Sequence, residues 1–68
     1  MEFDIELPPW TKWLAQDEDG QWYAFESEPV AVGLLKYWAK QTGARARLVA
    51  LSKKPINWQS QLYEIYWE

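Results

Sequence analysis

Carboxylates, lysines, tyrosines and hydroxyls are the only side chains in this sequence with conventional reactivity, because its 68 residues include neither histidine nor cysteine. Nucleophile–histidine dyads and nitrogen or sulfur metal sites are therefore excluded by composition. The densest acidic run, Asp17-Glu18-Asp19-Gly20, has the residue types that open a calcium loop. The oxygen ligands that should follow over about twelve residues, ending in a bidentate glutamate, are replaced by Trp22, Tyr23 and Phe25. The run therefore reads as a turn. Glu26 and Glu28 match a glycosidase pair by type alone, and in an acidic chain they read as a solvated surface pair. The chemistry points to a protein that is not an enzyme and that takes no metal and no cofactor.

What remains is the aromatic load of 6 Trp, 4 Tyr and 2 Phe. Large rings let a short chain build a core, and the same rings serve as binding anchors. Four are expected in the core: Trp13, Tyr23, Phe25 and Trp38. Four others are candidate binding residues. Trp22 lies on the second face of a hairpin beside Gln16 and Lys12, Trp10 follows Pro8-Pro9, and Tyr63 and Trp67 fall on the far side of the last element.

These positions depend on the elements that carry them. Phe3, Ile5 and Leu7 alternate with Glu2, Asp4 and Glu6, the period of a strand with one acidic face, which Pro8-Pro9 ends. Two β-prone runs, Lys12 to Gln16 and Gln21 to Glu26, flank Asp17-Glu18-Asp19-Gly20. A type I turn with Gly20 in the left-handed position of a bulge sets Trp13 opposite Phe25, Leu14 opposite Ala24, Ala15 opposite Tyr23 and Lys12 opposite Glu26. A two-residue Asp19-Gly20 turn would lose both the aromatic pair and the charge pair. The bulged register puts Trp13, Ala15, Tyr23 and Phe25 on the core face.

Ser27-Glu28-Pro29 has the residues of a helix start and Gly43 those of a stop, with Val30, Ala31, Leu34, Leu35 and Trp38 on one helical stripe between them. This predicts an amphipathic helix from about Glu28 to Thr42. Arg45 to Ser52 reads as a strand, central because its middle is apolar on both faces. The last segment is open to two readings: Asn57 can cap a short helix with the stripe Trp58, Leu62, Ile65 and Tyr66, yet Tyr63, Ile65 and Trp67 alternate as a strand would. The helix is preferred. The expected fold is one α+β domain over residues 1–68: a small, mostly antiparallel sheet made of the N-terminal strand, the hairpin and the later strand, covered by the amphipathic helix and followed by the short C-terminal helix.

With Lys+Arg 7 against Asp+Glu 10 and a pI near 4.8, the mildly negative field works against undirected binding to nucleic acid or anionic lipid. The acidic opening lacks the features of a secretory signal, and no apolar stretch approaches the roughly 20 residues of a membrane span. A cytoplasmic protein is expected, with no membrane partner.

The order Pro9-x-x-x-Trp13-x-Ala15-x-Asp17-Glu18-Asp19-Gly20-x-Trp22-x-Ala24-Phe25-x-x-x-Pro29, with the closing Pro55-x-Asn57-Trp58-x-x-Ser60-x-Leu62, resembles a group of short uncharacterised proteins encoded by tailed bacteriophages and prophages. That resemblance implies a phage accessory gene working in the host bacterial cytoplasm. It implies neither an activity nor functional residues. The function expected from it, together with the exposed rings, is binding of a host or phage protein, as an inhibitor or modulator. Single-stranded nucleic-acid binding by aromatic stacking, with Lys12, Lys53 and Lys54 near Trp22, is the alternative. A self-associating module, such as a homodimer, is a third reading.

Overall fold

The computed structural model describes residues 6–67. The expected N-terminal strand falls mainly on residues outside that range; Glu6 and Leu7, which are described, are irregular. In chain order the strands are β1 (Trp13–Gln16), β2 (Gln21–Phe25), β3 (Val30–Val32), β4 (Tyr37–Ala39), β5 (Ala46–Leu51) and β6 (Leu62–Glu64), with a 3-10 turn at Trp58–Ser60 before β6. A four-stranded antiparallel sheet has the order β5-β2-β1-β6, and β3 and β4 form a separate two-stranded sheet. The fold is therefore all-β among the described residues, not α+β.

The β1–β2 hairpin follows from its turn. The Gly20 amide donates to the Asp17 carbonyl at 3.0 Å, the Asp17 amide donates to the Gln21 carbonyl at 2.9 Å, and Gly20 takes a φ of 96°. This is the three-residue bulged loop that the acidic run predicts. It fixes the expected register, with Trp13 opposite Phe25, Leu14 opposite Ala24 and Ala15 opposite Tyr23. The glycine has a second reason to be there, since a Cβ at position 20 would stand 2.3 Å from the Ser52 carbonyl oxygen.

The predicted helix from Glu28 to Thr42 is the β3–β4 hairpin. Val30 faces Ala39 and Val32 faces Tyr37, while Gly33 to Lys36 form the loop, closed by the Lys36 amide donating to the Val32 carbonyl at 2.8 Å, with Lys36 at a φ of 60°. β-branched Val30 and Val32 and the rings of Tyr37 and Trp38 favour extended backbone, and Gly33 weakens a helix. The helical stripe also fails as a burial pattern. Of its five residues Trp38 is buried, whereas Val30, Leu34 and Leu35 are 59%, 91% and 63% exposed. Gly43, expected as a helix stop, sits at a φ of 84° in the turn where the Ala44 amide donates to the Gln41 carbonyl.

Two further expectations are corrected. Among the described residues β5 lies at the edge of the large sheet, not inside it, and Leu48 and Leu51 are 50% and 71% exposed. The C-terminal helix is a single 3-10 turn. Asn57 does cap it, accepting from the Gln59 amide at 3.2 Å, but the Gln61 amide bonds back to Trp58 and the chain extends as β6 beside β1.

The core lies on the predicted face of the large sheet. Ala15, Phe25 and Trp38 are buried together, with Trp13, Tyr23, Trp58 and Leu62 packed around them. Trp38 meets Trp58 edge to face at 5.8 Å between centroids, a geometry worth about 1 kcal/mol beyond the area it buries. The opposite face is also covered at its centre: Leu14 and Ala24 are fully buried. There the two N–H groups of the Gln16 amide are shared among the Gly20 carbonyl, the Ser52 hydroxyl and the Lys53 carbonyl, joining the hairpin turn to the chain after β5.

Candidate functional site

The two sheets are joined through Trp38. Its backbone amide donates to Asp17 Oδ1 at 2.8 Å, just past β1, and its indole Nε1 donates to the carbonyl of Gln16, the last residue of β1, at 3.0 Å. The Glu18 amide and carboxylate add contacts to the Lys36 carbonyl and ammonium in the β3–β4 loop, and a groove opens beside this joint. Its volume is about 500 Å³ and its walls are Tyr23 and Phe25 of β2 and Tyr37 and Trp38 of β4, with Ala46 of β5, Asp17 and Lys40 at the margins. Tyr23 and Phe25 are i, i+2 neighbours whose ring centroids are 6.2 Å apart, and Tyr37 is 39% exposed. An apolar concavity with aromatic walls and a few charged groups at its rim suits an apolar side chain of a ligand.

Asp17 is buried, and that burial raises its carboxyl above the usual range, against the opposing pull of the Trp38 amide; Asp19 nearby adds to the rise. The carboxylates of the turn are engaged by protein donors. Asp17 holds Trp38, Asp19 accepts from the Gln21 amide at 3.0 Å, and Glu18 pairs with Lys36 at 3.2 Å. Among the described residues, no group of three or more His, Cys, Asp or Glu side chains is placed to hold a metal ion.

The four residues singled out from sequence do not form one patch with this groove. Trp22 and Tyr63 lie together on the other face of the large sheet, half-buried, with ring centroids 6.0 Å apart. Trp22 Nε1 donates to Ser52 Oγ at 2.9 Å, so this ring also ties β2 to the segment after β5. Trp10 is half-buried with the Arg45 guanidinium 5.3 Å from its centroid, a cation–π arrangement. Arg45 in turn binds Glu26 at 2.9 Å, and this hydrogen bond, followed by the one from the Arg45 amide, holds the Glu26 carboxyl below its ordinary value. Trp67 is 56% exposed and its indole donates to the Thr11 carbonyl.

Sequence reasoning missed the groove because it assigned Tyr37 no role and placed Tyr23, Phe25 and Trp38 in the core. They are core residues, but Tyr23, Phe25 and Trp38 each turn part of their surface into the groove. Among the described residues no helix is long and apolar enough to cross a membrane. Comparison of the chain with protein-family models, with curated proteins and with solved structures finds no match.

Proposed function

We propose that this chain is a non-catalytic protein-binding module whose aromatic groove takes up an apolar side chain of a partner protein. The observation that carries the reading is the groove itself: four rings line it where the two sheets join, and the β3–β4 loop, which leads into Tyr37, exposes Leu34 and Leu35 to solvent. Apolar surface of this kind, rimmed by charge, marks interaction sites on small soluble proteins. Exposed Lys40 in the lining supplies a charge for orienting a bound segment. The phage resemblance adds a setting, in which the partner is a host or phage protein in the bacterial cytoplasm and binding inhibits or redirects it.

The test is selection of ligands from a displayed random-peptide library, followed by mapping of the selected peptides on the labelled protein by NMR. The expected result is a shared apolar anchor that shifts Tyr23, Tyr37 and Trp38, with affinity lost in Tyr37→Ala while the melting temperature is kept. Selected peptides that map to Trp22 and Tyr63 instead would move the site to the opposite face. A library that yields no binder at all defeats the reading.

A further inference from the structure

Among the described residues β5 is the longest strand and runs along one edge of the large sheet. Among the described residues no strand pairs with its outer side. The direction of its backbone groups follows from the ladder with β2. The Glu26 amide donates to the Arg45 carbonyl and the Arg45 amide donates to the Glu26 carboxylate, so Arg45 turns its backbone polar groups toward β2. Bonded and non-bonded pairs alternate in an antiparallel ladder. Arg47, opposite Ala24, therefore also faces inward, while Ala46 and Leu48 present their N–H and C=O groups outward. Natural sheets usually protect such an edge.

The charge distribution indicates what fits there. Lys36, Lys40, Arg45, Arg47, Lys53 and Lys54 lie between Pro29 and Tyr63, and no Asp or Glu occurs in that stretch, although the whole chain carries a net charge of −3. Arg45 is committed to Glu26 and Lys36 to Glu18. Arg47 is exposed and has no ion pair among the described residues, though Glu6 lines the same hollow. Side chains alternate along β5, so Ala46 and Leu48 share the groove face with Tyr23 and Phe25, and Arg47 points to the other.

We propose that β5 is a docking edge that takes up an extended, acidic segment of the partner protein as an added strand. The segment's apolar side chains align with Ala46 and Leu48 on the groove face, and its carboxylates stand beside Arg47. Main-chain hydrogen bonds supply the affinity and the alternation supplies the selectivity. The inference rests on the protein-binding reading above and names the chemistry of the partner.

The probe is a short blocked peptide alternating valine and glutamate, titrated into the full chain by NMR and calorimetry. The expected result is saturable shifts along Ala46 to Leu51, weakening as salt is added. A matched peptide alternating valine and lysine should bind at least about tenfold more weakly, as like charges oppose it. N-methylation of alternate peptide amides should cost about tenfold or more in one of its two registers, since it removes ladder donors while leaving the protein untouched. Leu48→Pro should do the same, because its lost N–H faces outward and proline is tolerated at such an edge position. Absence of shifts at millimolar peptide, equal binding of the lysine peptide, or indifference to N-methylation overturns the proposal. So does a stable dimer that Leu48→Pro dissociates, since a second copy would then own the edge. If peptides selected for the groove bind Leu48→Pro unchanged, the edge fails and the groove stands. If the valine–glutamate peptide binds Tyr37→Ala unchanged, the edge stands without the groove.

Discussion

Asp17 Oδ1 accepts the backbone amide of Trp38 at 2.8 Å, so a carboxylate in the turn of one hairpin fixes the strand of another, 21 residues further along the chain. The neighbouring Gln16 carbonyl accepts the indole N–H of the same tryptophan. The backbone amide and the ring of one residue are thereby tied to Asp17, the first residue of the turn, and to Gln16, the last residue of β1. This explains how a two-stranded sheet too small to be stable by itself stays docked on a four-stranded one.

Removing the acceptor should loosen that joint. Asp17→Ala leaves a buried amide unpaired and is expected to cost about 1–3 kcal/mol, whereas Asp17→Asn keeps an acceptor and should cost less. Chemical denaturation gives the totals, and amide exchange at Trp38 should rise far more than exchange in β2. Uniform acceleration across both sheets would mean that the joint is no weak point.

The same carboxyl carries a pH dependence of defined sign. Burial raises its folded pKa above the unfolded value of about 3.9, so the folded state binds this proton more tightly than the unfolded one. Its contribution is fully present below the unfolded pKa and is lost as pH rises through the folded pKa. Glu26, held low by Arg45, runs the other way: its contribution is present above the unfolded value of about 4.3 and lost as pH falls through the folded pKa. Asp17→Asn retains Glu26, so subtracting the two denaturation profiles isolates Asp17. Wild type should lose stability relative to Asp17→Asn as pH rises through this range, and a difference of opposite slope would refute the assignment.

The two left-handed glycines provide a control on backbone strain. Gly20 and Gly43 have φ values of 96° and 84°, but a Cβ meets the Ser52 carbonyl oxygen at 2.3 Å in the first case and nothing within 4 Å in the second. Gly43→Ala should therefore show the conformational cost alone, about 1–2 kcal/mol. Gly20→Ala should add displacement of the backbone after β5 and cost at least about 1 kcal/mol more. Equal losses measured by urea unfolding would show that the Ser52 segment gives way freely.

The contrast between the hairpins shows what the sequence could convey. The first was legible down to its register because the turn demands a glycine at position 20 and because only one register matches Trp13 with Phe25 and Ala15 with Tyr23. The second was not, since Val30, Ala31, Leu34, Leu35 and Trp38 satisfy a helical spacing while three of them stay exposed at 59% or more. Periodicity encodes a burial pattern, and here little of the segment is buried except the ring that docks it. The edge position of β5 was hidden for a related reason. An apolar stretch with Leu48 and Leu51 half or more exposed resembles a central strand when exposure is unknown. The groove depends on both features, as it lies where β4 meets the sheet.

Trp22 illustrates the overlap between structural and binding roles. Its indole N–H and the Gln16 amide group both donate to Ser52 Oγ, at 2.9 and 3.1 Å. Ser52→Ala removes that shared acceptor and should cost about 1 kcal/mol or more. Trp22→Phe keeps most of the ring and should lose less than Trp22→Ala, for which about 3 kcal/mol is expected if the ring is a packing element. Wild-type stability in Trp22→Ala would return this residue to the role of an exposed anchor.

The loop between β3 and β4 makes the opposite demand. Leu34 and Leu35 are 91% and 63% exposed, so replacing both with serine removes little packing and should change stability by no more than about 0.5 kcal/mol at each site. They stand in the loop that leads into the strand carrying Tyr37, which lines the groove. If this surface contacts the partner, the double variant should weaken capture of groove-selected peptides by about 1 kcal/mol or more while its melting curve overlays that of wild type. Tyr37→Ala should weaken capture further, because that ring lines the groove itself. Lost stability in the leucine variant would show that the loop packs against the body of the protein. Unchanged stability with unchanged capture would confine the contact to the groove and leave the two leucines outside the interface.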